Sequence, residues 1–89
     1  MGRSLKDKDL DFNLNKIAGE YLHTQREKKG MSLDEVAKRV RTTRQNIYKY
    51  ESNLSRQKLN MFVSICYALG LDPATAYKEI IEILKEKGF

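Results

Sequence analysis

Between Val40 and Thr43 the chain leaves a turn of about three residues. On one side of it Leu33, Val36, Ala37 and Val40 recur at helical spacing. On the other side Ile47 and Tyr50 do the same over a shorter span. Two short helices joined so closely must cross steeply, and the second is left projecting, with its outer face and first turn open to solvent.

The flanking punctuation supports this division. Ser32 opens the earlier helix with a Ser-x-x-Glu box, in which Glu35 returns a hydrogen bond to the Ser32 backbone. Thr43 is the N-cap of the later one, and Ser52-Asn53 ends it, because Asn tolerates the left-handed conformation of a helix stop. Leu14, Ile17, Ala18, Tyr21 and Leu22 define a helix further upstream, ending near Lys29 with Gly30 as its stop. Leu59, Phe62, Val63, Cys66 and Leu69 define a fourth, closed by Gly70. Asp72-Pro73 is a cap followed by proline at the first helical position, and starts a fifth. Strand-like alternation is absent. The expectation is an all-α compact bundle of five helices with a helix-turn-helix, forming one domain over residues 12–89 behind a flexible N-terminal tail at 1–11. The second helix should span about 32–40, the third about 43–51 and the C-terminal one about 72–88.

Several function classes are disfavoured by what the chain lacks. No apolar tract is long enough to cross a bilayer, and the first residues are charged rather than apolar, so the expected location is cytoplasmic. One cysteine excludes an internal disulfide, and Cys66 with the single His23 does not make a metal site. Cys66 reads as a small buried hydrophobe and His23 as an exposed surface residue. No Gly-rich phosphate loop and no nucleophile–base pair is present, so neither an enzyme nor a cofactor is expected.

Charge is the positive clue. Seventeen Lys and Arg against twelve Asp and Glu give a net +5, with a pI near 9.4. Residues 1–11 are balanced, Arg3, Lys6 and Lys8 standing against Asp7, Asp9 and Asp11. Residues 38–58 are not: Lys38, Arg39, Arg41, Arg44, Lys49, Arg56 and Lys58 face only Glu51. With Ile47 and Tyr50 inward, the third helix presents Arg44, Gln45, Asn46, Tyr48 and Lys49. Arg and Lys pair with guanine O6 and N7, while Gln and Asn match adenine N6 and N7. A cation at a helix N-terminus costs about 0.3–1 kcal/mol in the free helix, a cost removed when a phosphate or guanine acceptor sits there.

The runs "QREKKGMSLDEVAKRV", "TTRQNIYKYE" and "LNMFVSICYALGLDPATAY" together resemble the lambda-repressor-like, XRE-type helix-turn-helix domain of phage repressors and Cro proteins, over residues 17–77. The resemblance implies a third helix lying in the major groove of double-stranded DNA. It makes Arg44, Gln45 and Lys49 the base-reading residues, with Thr43 and Asn46 as phosphate or supporting contacts. The loop after the third helix, Asn53, Ser55, Arg56 and Lys58, would grip the DNA backbone. Arg26 and Glu51 would form a structural salt bridge. Three positions depart from the pattern. Leu33 stands where the family usually has a bracing glutamine, Arg41 where the turn commonly has glycine, and the loop lacks a proline near Gln57. Arg41 becomes a backbone-contact candidate that replaces the contact of the missing glutamine from another direction.

The fifth helix carries two apolar stripes. Ala74, Tyr77, Ile81 and Leu84 form one, and Ala76, Ile80 and Ile83 the other. The first is expected to cover the core and the second to build a symmetric dimer, placing two reading helices about one DNA turn apart, ~34 Å. The function implied is a sequence-specific transcriptional regulator, most simply a repressor on a near-palindromic operator. The competing class is a protein-binding module, such as an antitoxin or phage accessory protein, that holds a protein partner with its second stripe.

Overall fold

The computed structural model describes residues 3–89, and side chains from Leu10 onward. Five helices follow in order: α1 (Arg3–Lys28), α2 (Leu33–Val40), α3 (Arg44–Glu51), α4 (Leu59–Ala68) and α5 (Pro73–Glu86). Among the described residues there is no strand. Nor, among the described residues, is any helix long and apolar enough to cross a membrane. Helix α1 packs on α3 and α5, α2 on α3 and α4, and α4 on α5.

Local chemistry sets the boundaries. Ser32 Oγ accepts from the Glu35 backbone N–H at 3.1 Å, and the Ser32 N–H donates to Glu35 Oε1 at 2.8 Å, closing the capping box. The same Ser32 N–H holds the Glu35 carboxyl below the usual carboxylate range. Thr43 Oγ1 caps α3 at the Asn46 N–H, 3.1 Å away, and Asp72 caps α5 at the Thr75 N–H, 2.9 Å away. Arg41 takes the left-handed conformation, φ 63 and ψ 49, and the following Thr42 N–H returns to the Ala37 carbonyl at 2.9 Å. An arginine therefore carries a turn geometry that costs a residue with a Cβ about 1–2 kcal/mol. Asn53, at φ 61, ends α3 in the same way, with the Leu54 N–H donating to the Lys49 carbonyl at 2.9 Å.

Leu22, Val36, Ile47, Ile65, Cys66 and Ile80 are the largest fully buried side chains, drawn from all five helices. Burial pushes the Cys66 thiol up to about 11, as suits a small hydrophobe in the core. Leu33 is half-buried and packs against this core, so the residue at the departing position serves the scaffold.

Three expectations need correction. Residues 3–11, expected as part of a tail, continue α1 as helix, while residues 1–2 lie outside the described residues. No glycine or proline interrupts the chain between residues 3 and 18, and a helix already nucleated by a packed segment propagates easily through such a sequence. Second, the inward stripe of α5 is Ala76, Ile80 and Leu84, at helical steps of four. Ala76 is 1% and Ile80 0% exposed, so neither can form a dimer interface; of that trio Ile83 alone reaches the surface. Tyr77, assigned to the core, is half exposed and meets Phe62 edge-on, ring centres 6.2 Å apart. The two stripes are adjacent on one helix, and the true core line takes members of both. Third, His23 is partnered: its Nδ1 lies 2.9 Å from Glu51 Oε1 and its Nε2 3.3 Å from Glu27 Oε2.

Candidate nucleic-acid interface

Helix α3 is anchored from below. Ile47 and Tyr50 are buried, which fixes its roll. Glu51, its last residue, is only 7% exposed. Its Oε2 accepts from Arg26 Nε at 2.7 Å and its Oε1 from Arg26 Nη2 at 3.0 Å, a two-point pairing. Arg26 Nη1 also donates to the Met31 carbonyl at 2.9 Å. One guanidinium thus ties the end of α1, the turn leading to α2 and the end of α3, and Glu51 in return holds that guanidinium in its charged form. The Arg26–Glu51 pair is present as the resemblance implied. The charge consequence is local: the one acid among residues 38–58 is neutralised inside the fold.

Below Glu51 the two helices nearly touch. Gly19 on α1 is buried, and a Cβ there would stand 2.5 Å from the Tyr50 carbonyl oxygen and 2.9 Å from that of Glu51. Only glycine permits this approach, a requirement that a glycine in the middle of a helix pattern hints at but does not specify.

With its underside fixed, α3 turns Arg44, Gln45, Asn46, Tyr48 and Lys49 outward, all exposed. Its first turn contains no acid, whereas that of α2 has Asp34 and Glu35. Among the described residues no protein side chain bonds to Arg44, Gln45 or Lys49. Asn46 differs: its Nδ2 donates to Thr42 Oγ1 at 2.9 Å, so its carboxamide braces the turn. Thr43 is occupied as the cap but remains exposed.

The seven cations of residues 38–58 are all exposed. Two are already engaged. Arg39 Nη1 donates to the Ala68 carbonyl at the end of α4, 3.1 Å away, and Arg56 Nη2 lies 2.7 Å from Asp11 Oδ2. Lys58 precedes α4 without a side-chain cap bond. Ser55 is half-buried, and Asn53 is half-buried as the left-handed stop. Of the predicted residues, Arg44, Gln45, Lys49 and Arg41 are unencumbered, while Thr43, Asn46, Asn53 and Arg56 also have work inside the fold.

A family profile described as a helix-turn-helix domain matches residues 17–76. No curated protein matches the chain. Among solved structures, the clp gene regulator ClgR from C. glutamicum is similar, with a TM-score of 0.72 and 26% identity. The likeness covers 78% of this chain and 90% of that one.

Proposed function

The chain belongs to the helix-turn-helix domain family, and from that premise we propose that it is a sequence-specific regulator of transcription. It lays α3 in the major groove and acts most simply as a repressor by occupying its operator. The observation that carries this is the free ridge of Arg44, Gln45 and Lys49 beside a surface whose exposed charges over residues 38–58 are all positive. A guanidinium, a carboxamide and an ammonium offer the donors and acceptors that distinguish base pairs from the major-groove side. Thr43, Asn46, Asn53, Ser55, Arg56, Lys58 and Arg41 serve the phosphates. The similar solved structure is that of a gene regulator, which agrees with this role.

The operator is near-palindromic and the protein binds it as a dimer. With Ala76 and Ile80 in the core, the member of that stripe left for a second copy is the exposed Ile83. Titration of the protein against duplex DNA at several salt concentrations tests the proposal. Affinity should fall with a log–log slope of about −0.9 per phosphate contacted. A salt-independent affinity would refute groove binding through these cations.

A further inference from the structure

The segment 52–58 between α3 and α4 carries four of the seven proposed phosphate contacts, yet nothing in its own sequence stiffens it: the chain's single proline is Pro73. Its conformation is held from α1. Asn15 Oδ1 accepts the Gln57 backbone N–H at 2.6 Å. Asn15 Nδ2 donates to the Asp11 carbonyl at 2.8 Å, which fixes the amide orientation and leaves Oδ1 to face the loop. One turn earlier on the same face of α1, Asp11 pairs with Arg56. The Gln57 side chain completes the clamp by donating from Nε2 to the Tyr50 carbonyl at 2.9 Å, at the end of α3.

We propose that Asn15 is a positioning residue for DNA binding, acting through the Gln57 backbone on its exposed neighbours Arg56 and Lys58. The inference rests on the DNA-binding role proposed above and names a residue outside the matched family region, since that match begins at residue 17. Asn15 is uncharged and half-buried, so it adds no electrostatic attraction of its own. Its effect is preorganisation. A tethered loop presents its two cations at fixed positions, and an untethered one must be ordered during association, which lowers affinity for every sequence alike.

The test compares the full chain with Asn15→Ala and with Asn15→Leu, which keeps the volume and removes the polar bonds. Binding is measured by fluorescence anisotropy on a selected duplex and on a scrambled duplex of equal length. Both variants should bind both duplexes about tenfold more weakly, the size expected for one hydrogen bond of this kind, with the ratio between duplexes unchanged. Amide exchange should quicken at Gln57 and stay slow at Ile47. In the Asn15→Ala background, Arg56→Ala should lose part of its effect, because the Gln57 backbone beside it is released and only the Asp11 pairing still holds its guanidinium. Affinity within about twofold of the parent despite faster Gln57 exchange would show a merely structural tether and overturn the proposal, as would additivity with Arg56→Ala or variants that do not fold. A parent protein that binds neither duplex would sink the DNA-binding role itself, a result separable from all of these.

Discussion

Gly19→Ala should destabilise this protein, although the same change on most helices does the opposite. Replacing a helical glycine by alanine normally gains about 0.5–1 kcal/mol through reduced backbone entropy in the unfolded chain. Here the added methyl would sit 2.5 Å from the Tyr50 carbonyl oxygen and 2.9 Å from that of Glu51, both backbone atoms of the last turn of α3. Neither can rotate away, so α1 and α3 must separate by roughly 0.5–1 Å before the contact becomes ordinary, and overpacking of this kind costs about 1–3 kcal/mol. After the propensity gain is subtracted, the expected net loss is about 1–2 kcal/mol, a fall in Tm of about 5–15 °C for a domain of this size. Urea titration followed by circular dichroism, with thermal melts in parallel, measures both quantities. Because α3 is the element displaced, binding to a preferred duplex should weaken more than stability alone accounts for. An unchanged or raised Tm would refute the close approach and, with it, the way α3 is seated on α1.

Arg26→Ala leaves Glu51 buried with His23 as its remaining side-chain partner, and should cost about 3–5 kcal/mol in the same titration. The double change Arg26→Met with Glu51→Met should restore much of that loss. Arg41→Gly should raise stability by about 0.5–1 kcal/mol by relieving the left-handed arginine, while lowering affinity for all duplexes through the lost cation. Thermal melts and anisotropy should therefore move in opposite directions. Glu35 and Asp72 are held below their ordinary values of 4.5 and 3.8, chiefly by the Ser32 N–H and the Thr75 hydroxyl respectively. A depressed carboxyl stabilises the fold fully above its unfolded value and ceases to as pH falls through its folded value. Acid titration should therefore show stability falling below about pH 4.5, with Asp72→Asn less stable at pH 7 and showing a shallower decline, as melts at both pH values will report.

How far the structure could be read in advance varied with the range of the interaction. The starts of α2, α3 and α5 were legible because caps act within one turn: Ser32 with Glu35, Thr43 with Asn46, and Asp72 with Thr75 are all three residues apart. The outward ridge of α3 followed from the inward phase of Ile47 and Tyr50. The phase of α5 was harder, since two apolar lines lie side by side on it and only packing against the rest of the core selects Ala76, Ile80 and Leu84. Contacts between residues far apart in sequence left no trace. His23 meets Glu51, and Asn15 meets Gln57, across 28 and 42 positions. The Arg26–Glu51 pair, 25 positions apart, came from family resemblance rather than from spacing. The extension of α1 to Arg3 was hidden because a balanced charge pattern without an apolar stripe resembles a solvated tail, although it contains nothing that breaks a helix.

The central claim is that α3 reads bases. Its most direct test is to select duplexes from random DNA with the parent protein, then measure Arg44→Ala on the winning and the scrambled sequence. Loss of one bidentate contact should lower affinity for the winner by about tenfold to a hundredfold and leave the scrambled duplex within a few-fold. Equal losses on both duplexes would mean that Arg44 touches only phosphate, and would contradict the account.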